Sequence, residues 1–180
     1  YLFFVDTDII FDYKDFFKLL DADKDVAVGL YTKKYINEGK LNALFEKFSQ
    51  LPKIWKSLVG DFSSEFANNT NEDIIKVDYA ATGFMLIKTS VFKTIAEKMP
   101  ELKYKNDIDG YMSYGDNFYD FFRCWVNPDN KKYESEDYGF CRNWHNCGGE
   151  IHAVKDTNLI HRGNYCFEGN LKEQQKIFNL

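Results

Sequence analysis

Two carboxylates one residue apart, Asp6 and Asp8, follow the apolar run Tyr1-Leu2-Phe3-Phe4-Val5 and precede a second one, Ile9-Ile10-Phe11. Five apolar residues leading into paired acids read as a buried strand that ends at hard oxygen ligands. Side chains alternate along an extended chain, so Asp6 and Asp8 are expected on one side and Thr7 on the other. Such a pair suits Mg²⁺ or Mn²⁺, ions that usually arrive with a phosphate-bearing substrate. Alone, an Asp-x-Asp is a weak signal; the strand in front of it strengthens the reading.

Two further groups could join this chemistry. Glu136 and Asp137 sit where Ser135 should cap a helix, and acids near the positive end of a helix need no other explanation. A carboxylate held there beside a cleft can also take a proton from a hydroxyl. His161 follows an apolar pair and precedes the turn Arg162-Gly163-Asn164. It reads either as an ordinary histidine or as an imidazole ligand, which beside two carboxylates favours Mn²⁺ over Ca²⁺. Cys124, Cys141, Cys147 and Cys166 could bridge only in an oxidising compartment, and with His145, His152 and His161 they match no regular zinc spacing. Reduced thiols are the expectation. Asn68-Asn69-Thr70 is a glycosylation sequon only if the chain is secreted.

The elements that must carry these residues alternate between strand and helix. A helix is expected from Asp12, with Phe16, Phe17, Leu19 and Leu20 as its apolar face. Residues 25–31 read as a short buried strand and residues 39–48 as a helix with Leu41, Leu44, Phe45 and Phe48 at helical spacing. The polar stretch 62–73 reads as a loop, and residues 74–87 as sheet. Thr89 or Ser90 should cap a helix that Pro100 stops. Residues 101–133 look irregular, and Gly110, Gly115 and repeated Asp and Tyr suit a lid over residues 107–133. The aromatic run Phe118-Tyr119-Asp120-Phe121-Phe122 allows a rigid plug instead. The Ser135 helix should end at Gly148-Gly149, residues 150–154 should form the last strand, and the tail is amphipathic.

Composition narrows the partners. A net charge of −5 argues against a nucleic-acid binder. No apolar run reaches the length of a membrane span, so no span is expected in this chain and a cytoplasmic location is. Aromatic residues make up 18 %, with 17 Phe and 12 Tyr, enough for a thick core and for stacking against sugar rings. At 180 residues without repeat or linker, residues 1–180 read as one domain.

Four segments in order resemble nucleotide-sugar glycosyltransferases of the GT-A fold, in particular the group of bacteria and large DNA viruses that includes capsid-glycosylating enzymes. They are Phe4-Val5-Asp6-Thr7-Asp8, then Ala81-Thr82-Gly83-Phe84-Met85-Leu86-Ile87. Ser135-Glu136-Asp137-Tyr138 follows, with Phe140, Cys141, Arg142 and Trp144, and last comes His161 with Gly163, Tyr165, Phe167 and Gly169. The resemblance implies an α/β, Rossmann-like mixed sheet flanked by helices, starting at the Asp-x-Asp strand with nucleotide-binding βα units belonging before Tyr1. It implies that Asp6, Asp8 and His161 hold Mn²⁺ or Mg²⁺ and that the two acids also meet the donor's ribose or diphosphate. Asp8, nearer the strand's end, is expected as the direct ligand and Asp6 as the more indirect partner, through ribose or water. It matches Asp137 to the acid that often serves as base in inverting members, with Glu136 beside it in the acceptor or donor pocket, and places Thr82 and Gly83 along the donor sugar. With Asp137 as base the reaction inverts, and with attack from the leaving-group face it retains, both readings staying open. Arg162 stands where relatives often carry a small apolar residue, so it contacts the diphosphate or faces solvent. The implied reaction moves a sugar from a nucleoside diphosphate, UDP in the first instance, to a hydroxyl of a glycan or glycoprotein. Two other readings stay open: a non-catalytic sugar-binding module derived from such an enzyme, and a metal-dependent nucleotidyltransferase or phosphohydrolase.

Overall fold

The apolar run at the start of the chain becomes strand β1 (Leu2–Val5), which pairs antiparallel with β6 (Phe84–Ile87). It is not the buried strand expected but an edge strand, with Leu2 and Val5 exposed and Phe3 and Phe4 half-buried. The structure is a computed structural model and describes residues 1–66, 72–111, 115, 117–128 and 130–178. Beyond β6 lie β3 (Val26–Gly29), β9 (Ile151–Val154), β5 (Ile74–Ala80) and β4 (Ser64–Phe66), giving the order β1-β6-β3-β9-β5-β4. The β3–β9 pair is parallel and its neighbours are antiparallel, so this is a mixed sheet. A second, three-stranded sheet joins β2 (Ile9–Ile10), β10 (Leu159–Arg162) and β11 (Cys166–Gly169).

β3 explains why the sheet is covered on both sides. Val26, Val28 and Leu30 lie in one apolar cluster with Val91 and Ile95 of α4 (Thr89–Lys98) and with Phe140 and Trp144 of α5 (Glu136–Asn146). Ala27 and Tyr31 lie in the other, with Leu19 of α1 (Tyr13–Asp21). Every residue of β3 is buried, as a strand enclosed on two faces must be, and its sequence is accordingly an unbroken apolar run. A smaller cluster of Leu44, Leu58 and Val59 holds α2 (Glu38–Lys47), α3 (Trp55–Leu58) and α6 (Leu171–Phe178) together.

Local chemistry sets several element ends. The Asp12 carboxylate accepts from the Lys14 N–H at 2.9 Å, while Asp15 reaches back to the Asp12 N–H, a reciprocal cap that starts α1. α5 stops where Gly148 takes φ +82°, a left-handed turn that glycine adopts without strain. Other expectations need correction. Lys88, not Thr89 or Ser90, occupies the cap position of α4, because pairing through Ile87 and a Lys88 N–H bond to the Asp25 carbonyl keep the chain extended that far. Ser64–Phe66 is a strand within the stretch read as loop, pairing with the far half of β5. Residues 150–154 are not the last strand; β10 and β11 follow, too short to carry a clear period of their own.

The stretch read as continuous sheet over residues 74–87 is two strands with a turn between them. β5 pairs with β9 only through Val77 and then runs back along α5: the Asp78 carbonyl meets His145, the Ala80 carbonyl meets Cys141, and Thr82 meets Asp137. This bend delivers Thr82 and Gly83 to the start of β6, beside the end of β1.

Residues 101–133 contain a 3₁₀ turn at Pro100–Leu102 and a small hairpin of β7 (Trp125–Val126) and β8 (Tyr133–Glu134). Phe122 stacks on Phe140 at 4.8 Å and meets Phe4 at 5.3 Å, and Phe121 packs on Phe92, so this part is pinned to the core. Residues 112–114, 116 and 129 of the expected lid, and the sequon Asn68-Asn69-Thr70, lie outside the described residues. Cys141 and Cys147 are buried thiols, Cys124 and Cys166 exposed ones. Among the described residues no helix is long and apolar enough to cross a membrane.

Candidate active site

β1, β3 and β9 run in the same direction, and the residues of interest gather beyond their carboxyl ends. β1 ends at Val5, and the Ile9 N–H bonds back to the Asp6 carbonyl at 3.1 Å. Asp6-Thr7-Asp8 is therefore a tight turn and not the extended edge expected from alternation. The turn separates the two acids: Asp6 faces β6, and Asp8 faces the second sheet.

Asp6 is tied down by its N–H bond to the Gly83 carbonyl at 3.0 Å. Gly83 has to lack a side chain. A Cβ there would sit 2.7 Å from Asp6 Oδ2 and closer still to the Tyr31 hydroxyl. Tyr31 is the buried centre of the site. Burial, and then the charges of Asp6, Asp137 and Asp8, hold its phenol well above its ordinary pKa, so it stays protonated and able to donate.

Asp8 and His161 are brought together by strand register. β2 pairs with β10 so that Ile9 lies opposite His161, and the Arg162 N–H donates to the Asp8 carbonyl at 2.7 Å. His161 Nε2 then stands 3.6 Å from Asp8 Oδ2. Its Nδ1 lies 2.8 Å from the Thr32 carbonyl. A carbonyl only accepts, so Nδ1 carries a proton there and Nε2 is the nitrogen turned toward Asp8. The edge of Tyr31 packs against the same imidazole at 5.1 Å. An imidazole oriented by a carbonyl on one nitrogen, with the other free beside a carboxylate, has the build of a metal ligand.

Asp8 also accepts from Lys34 Nζ at 2.6 Å, and that bond, against a small burial cost, holds its carboxyl below the usual range. Both side chains are more than a third exposed, so the pair adds at most about 1 kcal/mol to stability.

Asp137 lies in the first turn of α5 and accepts from the Thr82 hydroxyl at 2.6 Å. Its pKa is raised: burial disfavours the charge and outweighs the Thr82 bond, with Glu136 and Asp6 adding like-charge repulsion. A carboxylate in that position is a stronger base than one on the surface. Gly139, two residues on, lets the helix press against the Arg123 carbonyl and the Trp125 ring. Glu136 is exposed and turns toward the Cys124 thiol at 3.9 Å. Arg162 is exposed as well.

The fold thus gathers Asp6, Asp8, Thr82, Gly83, Asp137 and His161 around Tyr31, with Glu136 and Arg162 at the margin. Among the described residues no three Asp, Glu, His or Cys side chains meet as a ready-made metal cluster; Asp8 and His161 meet as a pair, as do Glu150 and His152 away from this edge. Tyr31 and Lys34 were not expected from sequence. The available signal was position: they follow the buried strand β3, which ends at the same edge as β1. A cleft of about 440 Å³ opens elsewhere, lined by Asp23, Asp25, Glu150 and His152, and none of the expected site residues lines it. Compared with models of known protein families the chain gives no match, and compared with curated protein sequences it gives none either.

Proposed function

We propose that the chain is a metal-dependent glycosyltransferase of GT-A type that takes a sugar from a nucleoside diphosphate, UDP in the first instance, to a hydroxyl on a glycan or glycoprotein. The observation that carries this reading is the oriented His161–Asp8 pair facing a second carboxylate, Asp137, across Tyr31 and Gly83. Acids outnumber the one nearby ammonium there, a balance suited to a divalent cation and a phosphate ligand.

Asp8 and His161 would hold Mn²⁺ or Mg²⁺ directly, with Asp6 nearby. Such an ion, when bound, neutralises the charge that grows on a departing diphosphate. The remaining work falls to the chain. Asp137 accepts the proton of the acceptor hydroxyl as that oxygen attacks the anomeric carbon, and its raised pKa matches it to that task. Thr82 steadies the carboxylate with its hydroxyl, and its backbone adds a further hydrogen bond. Gly83, without a Cβ, lets the Tyr31 hydroxyl and the Asp6 carboxylate come together beside the sugar's place. The protonated Tyr31 hydroxyl stands ready to donate within the cluster of acids. With Asp137 as base the sugar inverts.

The test is turnover of UDP-sugars with Mn²⁺, read as UDP release with and without glycan acceptors. Release should require the ion and be lost in Asp8→Ala. Turnover indifferent to chelator and to Asp8→Ala removes the proposal, and release of pyrophosphate or phosphate instead of UDP replaces it with the nucleotidyltransferase or phosphohydrolase reading.

A further inference from the structure

The Lys34 ammonium stands where a bound cation would stand. It lies 2.6 Å from Asp8 Oδ2, the same oxygen that is 3.6 Å from His161 Nε2. Its placement is built by its neighbours. The Lys33 N–H donates to the Asp61 carbonyl at 2.8 Å, and the Tyr35 hydroxyl donates to the Asp61 carboxylate. Thr32 receives His161 Nδ1 on its carbonyl and gives its hydroxyl to the Phe167 carbonyl at 3.3 Å. The Lys34 stem passes Gly163, where a Cβ would come within 3.4 Å of Lys34 Cδ. The Lys34 side chain is 41 % exposed, which leaves it room to swing away from Asp8.

We propose that Lys34 is the internal counter-cation of this site: it holds Asp8 when no divalent ion is present and must leave when one enters between Asp8 and His161. This rests on the metal reading above. The consequence is a linkage. An ammonium and a divalent ion compete for one carboxylate oxygen, so the ion alone binds weakly. A diphosphate offers the displaced ammonium new anionic oxygens, so ion and diphosphate bind better together than apart, and each raises the affinity of the other by the same factor. Lys34 thereby makes the site wait for the donor.

The experiment measures Mn²⁺ binding by electron paramagnetic resonance, with and without UDP, corrected for ion held by free UDP. It compares wild type, Lys34→Met, which keeps the stem without the charge, and Lys34→Arg, which keeps the charge. Losing a half-exposed pair and the repulsion of the ammonium should tighten Mn²⁺ binding in Lys34→Met by about 5- to 10-fold in the absence of UDP. The gain that UDP gives to Mn²⁺ affinity should shrink by a similar factor, and Lys34→Arg should resemble wild type. If wild type binds Mn²⁺ and Lys34→Met binds it no tighter, or keeps the full UDP gain, the counter-cation role is wrong while the metal site stands. If neither wild type nor Lys34→Met binds Mn²⁺, with or without UDP, the metal reading fails and takes this inference with it.

Discussion

Asp137→Asn separates a helix acid from a general base. The amide oxygen can keep the 2.6 Å bond from the Thr82 hydroxyl, so the geometry survives. Exchanging a charged for a neutral acceptor weakens that bond by about 1 kcal/mol, and losing a negative charge in the first turn of α5 costs a further 0.3–1 kcal/mol, roughly. Against these stands the burial of the carboxylate, which the raised pKa shows to be the larger effect. The sign follows from linkage: a carboxyl whose folded pKa is raised contributes stability below its unfolded value near 3.8 and loses it as pH rises through the folded pKa. At pH 7 the charged Asp137 therefore costs stability, and the neutral amide of the variant does not carry that cost. The variant should melt at or slightly above the wild-type temperature at pH 7, and the two should converge below pH 3.8. Turnover should fall by about 10²–10⁴, or roughly 3–5 kcal/mol of barrier at 1.36 kcal/mol per decade, while Mn²⁺ and UDP bind as before. Calorimetry in parallel with UDP-release kinetics decides it. Near wild-type turnover means that Asp137 is not the base. A melting temperature several degrees lower, about 1–2 kcal/mol at this chain length, means that the charge stabilises the fold and the burial argument is wrong.

Three further outcomes are expected. Thr82→Val removes the hydroxyl that favours the Asp137 charge, so the acid limb of kcat/KM should move to higher pH; an unmoved limb would show that Thr82 does not set that pKa. Gly83→Ala forces a methyl group against Asp6 and the buried Tyr31 hydroxyl, which should cost about 1–3 kcal/mol in urea unfolding and most of the turnover, whereas a fully active and stable variant would contradict the packing. Asp61 is held down to about 2 because hydrogen bonds from Lys40, Tyr35 and Asn37 overcome its burial. It contributes stability above pH 3.8 that is lost as pH falls toward 2, about 1 kcal/mol after allowing for its partial exposure, and urea titrations of Asp61→Asn from pH 6 to pH 2 should lack that component.

Much of the scaffold was legible from neighbouring residues. β1 and β3 announced themselves as apolar runs, α1 by the Asp12 and Asp15 cap, and α5 by Ser135, its first-turn acids and the closing Gly148. Those signals are local: capping, left-handed turns and burial on two faces act within a few residues of chain. Asp6, Asp8, Thr82, Gly83, Asp137 and His161 were also picked out as residues, and the structure places them at one sheet edge. How they meet was beyond the sequence. Alternation put Asp6 and Asp8 on one side, but a hydrogen bond from Ile9 to Asp6 curls that stretch and turns them apart. His161 reaches Asp8 only through the register of two-residue β2 against β10, too short a strand to show a period. Thr82 reaches Asp137 because the end of β5 runs back along α5, and Tyr31 and Lys34 enter because β3, parallel to β1 across β6, ends on the same side of the sheet. The sequence by itself determined which side chains could do chemistry and which short elements carry them. The tertiary structure decided their pairing, because strand register and crossing order are settled by burial and hydrogen bonds between segments far apart in the chain.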